Sequence, residues 1–204
     1  MDTLVERARG LVRSGKRVIL GVAGAPGAGK TTFAEALIAR LQFDGIAAAH
    51  VPMDGFHLAD VALRERGLLG AKGAIETFDV HGYLAMLRRL RSETDHDVLA
   101  PGFERGLEQP LAAAITVPPA TTLVVTEGNY LLDESGAWPL VRAAMDEVWF
   151  VDLDDERRRS RLVERHVRYG KDRGAAEAWV EAVDEPNARR VIARRQHADL
   201  VVSG

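Results

Sequence analysis

The stretch that most constrains this chain is a glycine-rich loop at residues 24–31, GAPGAGKT. It fits the pattern G-x-x-x-x-G-K-[ST], in which glycines leave backbone N–H groups free to point at phosphate oxygens. An apolar run at 17–23, rich in β-branched residues, predicts a buried strand before the loop, and apolar residues at helical spacing follow it. A strand, a glycine loop and a helix in this order predict a phosphate-binding loop, to which the helix dipole adds its positive end.

Two side chains of this loop have predicted roles of their own. Lys30 is expected to reach the β- and γ-phosphates of a nucleoside triphosphate, and the Thr31 hydroxyl to bind Mg²⁺. The predicted nucleotide-binding set of the loop consists of Gly24, Ala25, Pro26, Gly27, Ala28, Gly29, Lys30, Thr31 and Thr32. We therefore predict ATP, as the default nucleotide, and Mg²⁺ as cofactors.

Strands and helices alternate along the rest of the chain. Apolar runs predict further strands at 47–53, 122–126, 147–151 and 198–202. A helix at the start of the chain is expected to end at Gly15. The segments 97–103 and 112–117 are expected to pair with each other, with a turn near Gly106, and we call this paired segment the excursion. Further helices are expected at 80–92, 154–169, 179–183 and 188–195. The alternation predicts an α/β P-loop NTPase fold, three-layer α/β/α with a mostly parallel central sheet. We expect one domain, 1–204, with the acceptor-site excursion at about 97–117 and a lid at about 157–175.

The composition excludes several kinds of site. The 204 residues include no cysteine, which rules out disulfides, thiolate catalysis and cysteine-ligated metals. A net charge of −3 provides no global basic field for nucleic acid, and none of the six histidines has the spacing of a zinc motif. The charged opening stretch is not typical of a secretory signal, and no run is typical of a membrane span. We expect a cytoplasmic protein without a membrane segment or a nucleic-acid partner.

Two carboxylates follow predicted strands, at the edge where parallel sheets bind their ligands. Asp54 could act as a base or hold Mg²⁺, or it could be a turn or helix-capping aspartate. The residues after it are Gly55, Phe56 and His57. A permissive backbone, an aromatic ring and an imidazole are typical of the wall of a substrate pocket, which favours a role for Asp54 in the site. Glu127, at the end of a very apolar strand, is predicted to be the Mg²⁺ partner, the alternative being a surface glutamate.

A basic helix follows the strand at 147–151. Its charges are Arg157, Arg158, Arg159, Arg161, Arg165, Arg168 and Lys171. They could form a solvated face, a nucleic-acid patch, or a lid that brings arginines onto a transferring phosphoryl group. We favour the lid for Arg161, Arg165 and Arg168, and a solvated face for 157–159.

Taken together, these motifs resemble the small-molecule P-loop kinases related to uridine kinase, bacterial-type pantothenate kinase and phosphoribulokinase. The resemblance is strongest to bacterial proteins provisionally named fructose transport system kinases, within the nucleoside/nucleotide kinase family proteins. It covers nearly the whole chain through the stretches GAPGAGKTT, VPMDGFHL, KGAIETFDVHGY, APGFERGLEQP, TEGNYLL, DEPNARRV and ADLVV. Two stretches depart from the uridine kinase pattern: DGFH stands for aspartate-serine-phenylalanine-tyrosine, and Phe103-Glu104 for tyrosine-aspartate.

The resemblance implies roles for individual residues. Asp54 matches the aspartate that activates the acceptor hydroxyl and helps hold Mg²⁺, and Glu127 the acid on the Mg²⁺ side. The implied acceptor-binding residues are His57, Phe78, Asp79, Phe103, Arg105 and Tyr130. Arg161 and Arg165 match lid arginines, and Asn187 lies in a segment near the nucleotide base in relatives.

The predicted activity is ATP- and Mg-dependent transfer of the γ-phosphate to a hydroxyl of a small metabolite, with Asp54 as base. The acceptor classes left open are a nucleoside, a sugar and a pantothenate-like alcohol. Two alternatives are a regulatory nucleotide-binding protein and a nucleic-acid-dependent ATPase. The first is expected to contain an N-K-x-D element for guanine, which this sequence lacks. The protein is expected to be a monomer or a homodimer.

Overall fold

The computed structural model describes residues 1–12 and 16–203. The α-helices within them are α1 Asp2–Leu11, α2 Lys30–Phe43, α3 Asp60–Glu65, α4 Val80–Ser92, α5 Trp138–Ala143, α6 Asp155–Arg168, α7 Arg173–Trp179 and α8 Glu185–Ile192. The strands are β1 Val18–Ala23, β2 Ala48–His50, β3 Val98–Glu104, β4 Gln109–Val117, β5 Leu123–Gly128, β6 Glu147–Asp152 and β7 Leu200–Ser203. The helix end predicted at Gly15 lies outside the described residues.

Five parallel strands form the central sheet in the order β2-β5-β1-β6-β7. Every residue of β1 and β5 is buried. A parallel sheet that is covered on both faces needs continuous apolar strands, which is the pattern these two runs have in the sequence. The predicted α/β fold with a mostly parallel sheet is confirmed.

Helices cover both faces of this sheet. Consecutive β1 residues point in opposite directions, so Ile19 packs in one core and Leu20 in the other. The Ile19 core contains apolar side chains of α4, α5 and α8, and the Leu20 core contains those of α1 and α2. These layers are the three-layer α/β/α arrangement of the P-loop NTPase fold. In the described part of the chain no helix is long and apolar enough to cross a membrane.

The second strand is shorter than the 47–53 predicted. β2 ends at His50, although the Val51 N–H still donates to the Val125 carbonyl at 3.0 Å. A 3₁₀ turn follows at Met53–Phe56, and its Gly55 packs so closely on β3 that a Cβ there would clash with the Pro101 carbonyl. The close packing bends the chain out of the sheet and fixes Asp54 beside the carboxyl ends of the strands.

The excursion and the C-terminal helices complete the fold. β3 and β4 pair antiparallel as a separate hairpin, with the turn between Glu104 and Gln109, as predicted. α7 continues through a π-helical turn at Val180–Asp184 into α8, where the sequence predicted two separate helical stretches. α5 was not predicted, because a helix of six residues gives a weak periodic signal.

Candidate active site

The glycine loop wraps around the first turn of α2. Gly27 and Gly29 have φ angles of 81° and 92°, which residues with a Cβ rarely adopt. A Cβ on Gly27 would also come within 2.8 Å of the Arg158 carbonyl oxygen. Ala25 and Pro26 before Gly27, and Ala28 between the two glycines, are buried, and Thr32 is exposed in the first turn of α2. The loop therefore holds its backbone N–H groups at a helix N-terminus, where an anion is favoured.

Lys30 begins α2 and is 8% exposed. Its Nζ donates to the Ala25 carbonyl at 3.2 Å and to Asn129 Oδ1 at 2.7 Å. Burial lowers the pKa of Lys30, against the opposing attraction of Glu127 and Asp54. These two acceptors hold the amine at the mouth of the loop.

Thr31 and Glu127 are joined directly. Because β5 lies beside β1 in parallel register, the carboxyl end of β5 brings Glu127 next to the loop. The Thr31 hydroxyl donates to Glu127 Oε1 at 2.9 Å. Glu127 is 4% exposed, and burial raises its pKa, with the charge of Asp54 raising it further. With Asp54, these groups supply the oxygen donors that Mg²⁺ prefers, so the residues fit the ion.

Asp54 faces the same space from the other side. The 3₁₀ turn exposes 27% of its side chain, and Arg105 Nη2 approaches its Oδ2 at 3.6 Å. At this separation and exposure the pair is worth little as a stabilising ion pair. The Asp54 carboxylate therefore keeps most of its hydrogen-bonding capacity for a group in the cavity.

Aromatic rings line the side of the cavity away from the loop. The His57 ring lies 4.0 Å from that of Phe78 and 5.1 Å from that of Phe103, centroid to centroid. A backbone bridge joins His57 to Phe78 and fixes this stack. Within the described residues, the buried His57 Nδ1 atom has no hydrogen-bond partner. Burial lowers the pKa of His57 to about 4, so the ring is neutral at pH 7.

A single cavity of about 340 Å³ joins the loop, the carboxylates and the rings. The predicted residues on its wall are Pro26, Lys30, Thr31, Asp54, His57, Phe78, Phe103, Arg105, Glu127, Arg165 and Asn187. Residues separated by more than a hundred positions in sequence thus meet in one space. Its volume lies within the range of ordinary small-molecule sites.

Two predicted acceptor residues, Asp79 and Tyr130, do not line this cavity. Asp79 is the N-cap of α4, and its Oδ1 accepts the Gly82 N–H at 2.8 Å. Tyr130 is 1% exposed and packs on Phe78, and its hydroxyl donates to the Gly73 carbonyl at 2.6 Å. Burial raises the pKa of Tyr130. Both side chains are used to fix neighbouring segments.

The basic helix α6 lies over the glycine loop. Arg165 reaches the cavity, and Arg161 Nη1 lies 3.4 Å from the position that a Cβ on Gly29 would occupy. Arg168 is exposed. The N-cap Asp154 accepts the N–H groups of Glu156 and Arg157 at 3.0 and 3.2 Å, which fixes the start of the helix.

The prediction of a solvated face for 157–159 is wrong at Arg158. Its side chain is 1% exposed, and its Nη2 donates to Glu185 Oε1 at 2.5 Å. The Nη1 atom of Arg158 donates to the Pro26 carbonyl at 3.4 Å, and Arg159 pairs with the second Glu185 oxygen. Arg158 therefore links the glycine loop to α8. The partner lies 27 residues downstream, beyond any spacing rule for one helix.

Other residues of the cavity were not predicted. Asn129 contacts Lys30, and Lys72 pairs with Asp60 at 2.7 Å and lies 5.8 Å from the Phe103 ring. On the α6 side of the cavity, His166 forms a hydrogen bond with Asp184 in the π-helical turn at 2.8 Å. The only available signal for Asn129 was its position two residues after Glu127, at the end of a core strand.

Comparison with known proteins agrees with this arrangement. Residues 19–203 match the profile of the Phosphoribulokinase / Uridine kinase family. The crystal structure of a Silicibacter sp. TM1040 protein, provisionally named a fructose transport system kinase, has a TM-score of 0.87 at 35% identity and covers 98% of each chain.

Two sequence relatives extend the comparison. A Schizosaccharomyces pombe protein, provisionally named a uridine kinase, is 31% identical over 83% of this chain and 74% of its own length. An ATP-dependent kinase-like protein of Aspergillus versicolor is 33% identical over 74% of this chain and 94% of its own length. This chain belongs to the phosphoribulokinase/uridine kinase family, and it is an ATP-dependent kinase.

Proposed function

We propose that this kinase transfers the γ-phosphate of Mg-ATP to a hydroxyl of a small metabolite, with Asp54 as the base. The acceptor is a nucleoside, a sugar or a pantothenate-like alcohol. The observation that carries the proposal is that Asp54, Lys30 and the Thr31–Glu127 pair share one cavity with a wall of aromatic rings. Phosphoryl transfer needs these parts: a phosphate cradle, a metal site, a base and a place for the acceptor.

The donor half of the site is formed by the loop and the lid. The N–H groups of 24–29 and the first turn of α2 would bind the phosphates, with Lys30 on the β- and γ-phosphates. Thr31, Glu127 and Asp54 would hold Mg²⁺, which supplies neutralisation of the phosphate charge when bound. Arg161 and Arg165 on α6 would neutralise charge on the transferring phosphoryl group. Asn187 would lie near the adenine base of the nucleotide.

The acceptor half is formed by Asp54 and the wall. Asp54 would accept the proton of the acceptor hydroxyl as that oxygen forms its bond to the γ-phosphorus. The bond between the γ-phosphorus and the β,γ-bridging oxygen breaks, and ADP leaves. His57, Phe78, Phe103 and Arg105 would orient the acceptor directly. Asp79 and Tyr130 would contribute by fixing α4 and the segment around Gly73.

The proposal is tested by a coupled ADP-release screen with Mg-ATP. The acceptors are nucleosides, pantothenate and its relatives, and free and phosphorylated sugars. We expect one class to raise ADP release far above background hydrolysis, with a product that has gained one phosphoryl group by mass spectrometry. Acceptor-independent ADP release with every compound would contradict the proposal.

A further inference from the structure

Asn129 lies at the junction of the two halves of the site. It directly follows β5, whose last residue Gly128 pairs with Ala23 at the start of the glycine loop. A Cβ on Gly128 would come within 2.6 Å of Met53, the neighbour of Asp54. The backbone before Asn129 is therefore held between the loop on one side and the 3₁₀ turn on the other, and Asn129 lines the cavity.

The hydrogen-bond donors of Lys30 indicate a role for the Asn129 side chain. An ammonium group has three N–H donors. One is directed to the Ala25 carbonyl at 3.2 Å and one to Asn129 Oδ1 at 2.7 Å, which leaves the third for a phosphate oxygen. Lys30 can therefore bind phosphate without giving up either protein contact. A long, flexible side chain would otherwise lose rotamer freedom on binding.

The chemical nature of the partner also matters. Among residues 1–12 and 16–203, both hydrogen-bond acceptors of Lys30 Nζ are neutral, a backbone carbonyl and the Asn129 amide, and the amide contact is the shorter of the two. A carboxylate at the same place would hold the ammonium as well but would repel the phosphates that the loop binds. A neutral amide orients the Lys30 ammonium group without neutralising its charge, which stays available to the phosphates.

We propose that Asn129 is a positioning residue, which holds Lys30 directed at the β- and γ-phosphates of the bound nucleotide. This inference rests on the proposed function only through nucleotide binding in the glycine loop. It does not depend on which acceptor is used.

The test is a double-mutant cycle on the binding of a non-hydrolysable Mg-ATP analogue, measured by calorimetry or by displacement of a fluorescent nucleotide. The four proteins are the wild type, Asn129→Ala, Lys30→Met and the double variant. We expect Asn129→Ala to weaken binding about 10-fold, the scale of one hydrogen bond to a charged group. In the Lys30→Met background the same substitution should change binding by less than about twofold, because its target is gone.

Two further variants separate positioning from folding. Asn129→Asp retains an acceptor for Lys30 but adds a negative charge, so it should bind the analogue at least as weakly as Asn129→Ala. Glu134 lies on the same segment with a half-exposed side chain and provides the control. Glu134→Ala should bind the analogue like the wild type. Thermal unfolding of each variant checks that the fold is intact.

The inference is overturned by wild-type affinity in Asn129→Ala, or by an equal loss in the presence and absence of Lys30. Wild-type protein that binds the analogue but phosphorylates no acceptor would overturn the proposed function and leave the role of Asn129 standing. Wild-type protein that binds no Mg-ATP analogue would overturn both.

Discussion

Replacement of Glu185 by alanine should destabilise the protein and loosen its glycine loop. Glu185 is 2% exposed and accepts from both Arg158 and Arg159 at 2.5 Å. The substitution leaves the guanidinium of Arg158, 1% exposed, without its buried counter-charge. Removing one partner of a buried ion pair costs about 3–5 kcal/mol.

The lower end of that range applies here. Arg158 retains its contacts to Asp155 at 3.1 Å and to the Pro26 carbonyl at 3.4 Å. We therefore expect a loss of about 3 kcal/mol in the free energy of unfolding, or a change of roughly 150-fold in the unfolding equilibrium. Denaturant titration followed by circular dichroism measures the loss directly.

A matched control is available on the neighbouring helix. Arg173 and Glu177 form an exposed pair at 3.6 Å, four residues apart in α7. Glu177→Ala should change stability by less than about 0.5 kcal/mol. A double substitution of Arg158 and Glu185 by methionine and leucine should recover much of the loss, since it leaves no buried charge. If Glu185→Ala costs less than about 1 kcal/mol, the link between α6, α8 and the loop does not stabilise the fold as reasoned.

Two further predictions concern the acceptor wall and the turn that holds Asp54. The pKa of His57 is lowered to about 4, so between pH 6.5 and 4 the unfolded chain binds the extra proton and stability falls as the pH falls. His57→Phe should reduce the stability difference between pH 7 and pH 4 by about 3 kcal/mol, and equal pH profiles for His57→Phe and wild type would contradict this. Gly55→Ala should cost about 1–3 kcal/mol and lower turnover, because its Cβ would meet the Pro101 carbonyl. Gly10→Ala, in α1 with open space around it, is the control, and equal melting temperatures for both variants would contradict the packing argument.

Much of the donor half could be predicted from sequence because its signals are local. The strand, glycine loop and helix at 17–41 are contiguous, and each has its own composition or periodicity. Asp54 and Glu127 could be brought to the same edge because parallel strands end on one side of the sheet. The hairpin at 98–117 was also predictable, because two apolar runs flank a glycine turn.

The errors and omissions concern long-range partners. Arg158 looks like its exposed neighbours in sequence, and only the folded chain brings it to Glu185. Asn129 and Lys30 are 99 residues apart, so no pattern within one element connects them. Periodicity and motifs therefore predict elements and strand ends, while the direction of a side chain depends on packing.

If Asp54 is the base of a phosphotransfer site, Asp54→Asn should separate turnover from nucleotide binding. The measurement is kcat with the acceptor found in the screen, beside the dissociation constant of a non-hydrolysable Mg-ATP analogue, with the exposed Asp97→Asn as control. We expect a fall in kcat of about 10²-fold or more, the scale of general-base catalysis, with a much smaller change in nucleotide affinity because asparagine keeps an oxygen that can bind Mg²⁺. Wild-type kcat in Asp54→Asn would show that Asp54 is not the base.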